Sequence, residues 1–149
     1  MRSEPSDGFL SRFVGIEYEG PRPPLNENRQ PFPVGAVNWF STLIQQSTLR
    51  QGKEPTVVQA NPDAQKVLKD FAESCDHKVN GTDDEARRQL WSRAHLNALK
   101  TASLLAVADS WGISEPCVSM SHADWAIALI LRNIANMTKR QGNRVWDLR

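Results

Sequence analysis

Thr82-Asp83-Asp84-Glu85-Ala86-Arg87-Arg88-Gln89-Leu90-Trp91-Ser92-Arg93-Ala94-His95-Leu96-Asn97-Ala98-Leu99-Lys100-Thr101-Ala102 is the stretch on which the fold turns. Thr82 and Glu85 have the T-x-x-E spacing of a capping box, and the carboxylates from Asp83 to Glu85 lie where a helix N-terminus favours negative charge. Beyond them Leu90, Ala94, Ala98, Leu105 and Ala108 recur at helical spacing, widened by Trp91, Leu99 and Ala102. The pattern predicts a long helix running to about Trp111-Gly112, the spine of a single core. Away from this stripe, Arg87, Arg88, Arg93, His95, Asn97 and Lys100 read as a solvated face, with contact to a domain, a subunit or nucleic acid as the alternative.

Downstream, Pro116 to Met120 reads as a short strand. Ser121, with Asp124 three residues on, then caps a last helix of Trp125, Ile127, Leu129, Ile130, Ile134 and Met137 that ends near Gly142. Upstream, Asn61-Pro62 supplies an N-cap and the proline favoured at the first helical position, opening a helix with Val67, Leu68 and Phe71 that fades before Asn80-Gly81. Pro55 to Gln59 is a second short strand. Val34, Val37, Phe40 and Leu43/Ile44 mark a first helix to about Leu49, ended near Gly52. Residues 9 to 18 are rich in β-branched and aromatic types and run into Gly20-Pro21-Arg22-Pro23-Pro24, so a strand followed by an extended arm is expected. Pro55-x-Val57-x5-Asp63 and Pro116-x-Val118-x5-Asp124 share spacing, which suggests that the two short strands pair. The expected fold is mainly α: a compact helical domain of about four helices over residues 31–149, with a two- or three-stranded β element, preceded over residues 1–30 by a strand and a Pro-rich arm.

The chain has 149 residues, enough to bury about two-thirds of its unfolded surface around one core. Lys and Arg number 18 against 17 Asp and Glu, so no global basic field exists to hold nucleic acid or an anionic membrane, and any such contact is local. The longest apolar runs, Ala102 to Ala108 and Trp125 to Leu131, fall short of the roughly 20 residues of a membrane span. Met1 to Gly8 has no apolar h-region. A cytoplasmic protein without membrane contact is the expectation, with Cys75 and Cys117 as buried thiols in a reducing compartment.

The search for chemistry returns little. Gly52-Lys53 is followed by Glu54, and Ser47 stands where a phosphate loop needs glycine. His77, His95 and His122 are dispersed, and Cys75-x-His77 has no second pair at finger-like spacing, so neither metal nor cofactor is expected. No G-x-S-x-G elbow marks a hydrolase. The C-terminal Lys139, Arg140 and Arg144 beside Trp146, together with Arg93, are the candidate nucleic-acid contacts, since an aromatic among cations can stack on a base or clamp a phosphate strand. Trp39, Phe40, Trp111 and Trp146 are the candidate interface residues: exposed aromatics forming a large apolar patch indicate a protein partner.

Three blocks carry a resemblance. Asp7-Gly8-Phe9-Leu10-Ser11-Arg12-Phe13, then Gly20-Pro21-Arg22-Pro23-Pro24-Leu25-Asn26, then Leu90-Trp91-Ser92-Arg93-Ala94-His95-Leu96-Asn97-Ala98-Leu99-Lys100-Thr101-Ala102 leading to a Trp125-Ala126 helix, resemble the C-terminal third of phage and prophage primase-helicase-type proteins. The resemblance implies a helical region that follows a RecA-like ATPase core in DNA-replication machinery of a phage-infected or lysogenic cell. That core and its phosphate loop would lie upstream of Met1, so the chain is expected to be no enzyme by itself and to carry no cofactor. The implied role is subunit or inter-domain packing against the ATPase core, with local contact to single-stranded or forked DNA. Arg12 is then the candidate in-trans arginine finger, stabilising charge on a phosphoryl group in a neighbouring subunit. A pairing of Arg12 with Glu17 or Glu19 is the structural alternative. A second functional reading is a stand-alone phage-encoded interaction protein that binds and modulates a host or phage protein.

Overall fold

The computed structural model describes residues 14–16, 20–22, 24, 27–28, 30–49, 51–54, 57–110 and 115–144, with side chains as far as Lys139. The elements follow one another as α1 (Val34–Leu49), β1 (Gln59–Ala60), α2 (Pro62–Asn80), α3 (Glu85–Ser110), β2 (Cys117–Val118) and α4 (Met120–Arg144). Among the described residues, four helices and a two-stranded parallel sheet bear out the expected mainly α architecture.

The helix that decides the fold is present, and α3 packs against both α2 and α4. Its buried residues are Leu90, Ala94, Ala98, Ala102 and Ala106, one every fourth position. Leu105 and Ala108, expected in this stripe, are half-buried, because the seam continues through Ala102 to Ala106. Ala64 on α2 and Ala123 and Ala126 on α4 complete a core in which the contact residues are small. Small side chains bring helix axes to the near end of the usual 8–10 Å range, so the packing is tight without large side chains. Two clusters result. One gathers Ala64, Leu68, Ala102, Ala106, Val118, Ala123 and Ala126 near the sheet. The other gathers Phe71, Cys75, Leu90, Ala94, Ala98, Ile130 and Ile134 toward the α2–α3 turn.

The two short strands pair in parallel, Gln59 opposite Cys117 and Ala60 opposite Val118. Parallel neighbours need a crossover connection, supplied here by α2 and α3. The register is not that of the Pro-x-Val echo, which would set Val57 opposite Val118. Instead the two helix caps are in step: Asn61 follows β1 as Ser119 follows β2, and the Asn61 N–H donates to the Val118 carbonyl at 3.0 Å. The strands themselves are shorter than expected and sit against their caps.

Three further expectations are corrected. The cap of α3 is Asp84, whose Oδ1 accepts from the Ala86 and Arg87 N–H groups at 3.0 and 3.3 Å. Thr82 instead accepts from the Asp84 N–H, and Glu85 reaches forward to Arg88 and Gln89, so no capping box forms. The cap of α4 is Ser119 rather than Ser121, and α4 continues past Gly142 to Arg144. Trp125, expected on the inner stripe of α4, is 54 % exposed, the inner positions being Ala123, Ala126, Ile130, Asn133 and Ile134. The expected bounds of α1 and α2 hold. Gly52, in the left-handed region at φ +79, follows α1 where an L side chain would be strained, and the Asn61 Oδ1 accepts from the Ala64 N–H at 2.8 Å with Pro62 at the first position. Of the strand expected over residues 9 to 18, Val14, Gly15 and Ile16 are described and are not in a strand, and the rest lies outside the described residues.

Candidate functional site

Three features bear on function, and they are built differently. The first is α1. Val34–Leu49 contains no Asp, Glu, Lys or Arg, and none of its residues is buried. Val34, Val37, Phe40 and Ile44 form an exposed apolar stripe at helical spacing, with Phe40 at 51 % and Ile44 at 65 % exposure. On another side Ala36, Trp39 and Leu43 are half-buried, and Trp39 meets Phe40 edge to face with ring centroids 4.7 Å apart. Apolar residues thus cover more than half the circumference. A helix apolar over that much of its girth, and without charge, has the character of one enclosed between protein bodies rather than of a surface helix.

The second is a Ser-His-Asp cluster where α3 meets the start of α4. The Ser119 N–H donates to His122 Nδ1 at 3.1 Å, while the His122 N–H donates to Ser119 Oγ at 3.4 Å. This is a reciprocal capping box with histidine in the place ordinarily taken by Glu or Gln. Because Nδ1 accepts, Nε2 carries the ring proton and donates it to Asp109 Oδ2, 2.8 Å away. Ser119 Oγ and Ser121 Oγ are 2.8 Å apart. A nucleophile-activating triad needs one ring nitrogen facing a hydroxyl and the other held by a carboxylate. Here the nitrogen opposite Asp109 faces a backbone N–H, so the cluster fastens the helix start to the end of α3.

The third is an open groove of about 640 Å³ between the α2–α3 turn and α4. Lys78, from the last turn of α2, and Arg87 from α3 supply its cationic rim, and His77 lines it as well. Trp91, Leu131 and Ile134 are among its apolar residues. Among the described residues no carboxylate lines it, although Asp83, Asp84 and Glu85 lie in the adjoining loop and helix start. Asp84 caps α3 and pairs with Arg87 Nε at 3.4 Å. Lys139, exposed, follows the lining residue Thr138 on α4.

The residues singled out from the sequence are placed unequally. Phe40 is exposed and Trp39 half-buried on α1; Lys139 is exposed on α4 and is not among the residues lining the groove. Arg93 is exposed on α3 but does not line the groove, being about 200° around the helix from Trp91. Arg12, Trp111 and Trp146, and the side chains of Arg140 and Arg144, lie outside the described residues. Among the described residues no group of three His, Cys, Asp or Glu comes together, and no helix is long and apolar enough to cross a membrane. Both cysteines are free thiols, Cys75 buried and Cys117, against expectation, exposed. Burial pushes the Cys75 thiol up from its ordinary pKa, a backbone hydrogen bond at His95 opposes this, and the charge of Asp76 adds to it. Comparison with known protein families, curated proteins and solved structures finds no match for this chain.

Proposed function

We propose that this chain is a non-catalytic helical module that packs against another protein body through α1, as the subunit or inter-domain piece of a phage DNA-replication ATPase of the helicase or primase kind. The observation that carries the reading is the helix Val34–Leu49, uncharged and without a buried residue, whose stripe of Val34, Val37, Phe40 and Ile44 faces outward. Covering it removes apolar area from water at about 25 cal/mol per Å² and displaces no charge. The three-block resemblance to primase-helicase-type proteins supplies the choice of partner, an ATPase core, and local DNA contact belongs to the basic residues Lys139, Arg140 and Arg144 of α4. The same exposed stripe would also serve a stand-alone interaction protein that binds a different host or phage protein.

The test is binding of the full chain to the isolated ATPase core of a phage primase-helicase-type protein, followed by calorimetry and gel filtration. A complex is expected for the native chain, with affinity reduced about a hundredfold or more by Phe40→Glu with Ile44→Glu, in keeping with central apolar anchors worth upward of 2 kcal/mol. Since neither side chain is buried in the free chain, the doubly substituted protein should keep its helical circular dichroism. Equal affinity of the two forms would remove α1 as the contact element. Absence of any complex would remove the ATPase-core assignment and leave the stand-alone reading.

A further inference from the structure

We propose that the groove between the α2–α3 turn and α4 binds a nucleotide unit, a planar base joined to a phosphate. The site uses none of the α1 residues on which the packing role rests, so either reading can fail alone.

The argument begins with the lining. Ligand pockets are concave, mostly apolar, and carry a few convergent polar groups, with volumes of about 300–1,000 Å³. This groove, at about 640 Å³, lies within that range. Its interior contains one aromatic wall, Trp91, together with Leu131, Ile134 and Ala135, which can take a flat apolar ring. Its charged lining residues are all of one sign: Lys78, exposed and without an ion pair among the described residues, and Arg87. Arg87 is held at its Nε by Asp84.

Of the neighbouring carboxylates, one neutralises Arg87 and the others are engaged elsewhere or lie outside the lining, which leaves Lys78 as the lining cation without an ion pair among the described residues. Asp84 is occupied by the backbone of α3 as well as by Arg87, and Glu85 by Arg88 and Gln89. Asp83 does not line the groove. An aromatic wall next to the exposed Lys78 suits a ligand with a π-face at one end and an anion at the other. Base–aromatic stacking contributes about 1–3 kcal/mol per base and tolerates any base, while the cations carry the salt-dependent share. A fatty acid would use the apolar wall and one cation but give the tryptophan no stacking partner. An inorganic anion would use the rim alone.

The ligand chemistry is shared by a free nucleotide and by a unit within a single strand. The test is an amide-shift titration of the 15N-labelled full chain with thymidine monophosphate, with a deoxythymidine oligonucleotide of about twelve residues, and with inorganic pyrophosphate, at about 50 and 200 mM salt. Gly81, Thr82, Leu131, Ala135 and Thr138 are expected to shift with both nucleotide ligands. Pyrophosphate should act at least about tenfold more weakly, as loss of one stacking contact requires. Lys78→Glu, at an exposed position, should weaken both nucleotide ligands about tenfold with an otherwise unchanged spectrum, and Lys69→Glu, at an exposed cation of α2 outside the lining, should not. Oligonucleotide binding about tenfold or more tighter than the monophosphate, falling steeply with salt, assigns the source as a strand; equal affinity assigns it as a free nucleotide. Pyrophosphate matching the monophosphate, or groove amides that do not move with either nucleotide ligand at millimolar concentration, overturns the proposal.

Discussion

At the residue scale, His122 illustrates how one side chain can have every polar atom committed. Its Nδ1 takes the Ser119 N–H, its own N–H goes to Ser119 Oγ, and its Nε2 proton goes to Asp109. Replacing it with alanine removes the reciprocal half of the cap and is expected to cost about 1–2 kcal/mol. His122→Gln restores the ordinary capping partner and should recover most of that loss. Asp109→Asn, at a carboxylate three-quarters exposed, should cost under about 1 kcal/mol. Urea unfolding of the three variants measures all of this, and an alanine variant as stable as Asp109→Asn would show that the cap does not hold α4. From sequence, Ser121 with Asp124 had the stronger conventional signal, and histidine is not among the residues associated with a capping box. The chain placed two serines within three positions, and only the geometry of the ring chose between them.

At the element scale, α3 and α4 meet through an alanine seam. Ala98 and Ala102 are 0 % exposed, as are Ala123 and Ala126 on α4. A larger side chain has no space to enter. Ala98→Leu is expected to destabilise by about 1–3 kcal/mol, the usual cost of overpacking, while Ala98→Ser should fall well below that. Lower urea midpoints with preserved helical circular dichroism would check it, and a leucine variant of native stability would mean that the seam is loosely packed. The existence and bounds of α1 and α2, and the existence of α3 and α4, were legible because apolar residues at 3.6-residue spacing, Asn61-Pro62 and Gly52 all act locally. Which positions of α3 touch its neighbours was only partly legible. The periodicity pointed to Leu105 and Ala108 on the inner side, and the crossing of the helices buried Ala106 instead. The groove was invisible for another reason: Lys78, Trp91 and Leu131 are far apart in the chain, and no local pattern links them.

At the scale of the whole molecule, the chain from β1 to α4 contains both core clusters, and α1 contributes to neither. One described connection from the N-terminal region to this body is the Gly15 N–H, donated to Asn133 Oδ1 at 2.9 Å. Asn133 is 6 % exposed, so this bond satisfies a buried polar atom. A chain lacking residues 1–53 is therefore expected to remain helical and unfold cooperatively. Loss of that hydrogen bond should cost about 1 kcal/mol and lower the melting temperature by about 4–8 °C. Thermal unfolding followed by circular dichroism measures it, and a truncated chain with no cooperative transition would show that the first third is integral to the core. That α1 is a helix could be read from Val34, Val37, Phe40 and Ile44. That it stands outside the core could not, because periodicity tells which side is apolar and not what will cover it.

The β1–β2 ladder has a consequence for the order of assembly. Its two residue pairs join positions separated by both α2 and α3. Closing so long a loop costs entropy that grows with the logarithm of its length and must be met before any ladder bond is made. Two short strands cannot recover that cost alone, whereas the alanine seams bring the helices together through contacts nearer in sequence. The sheet is thus a clasp closed after the helices have docked.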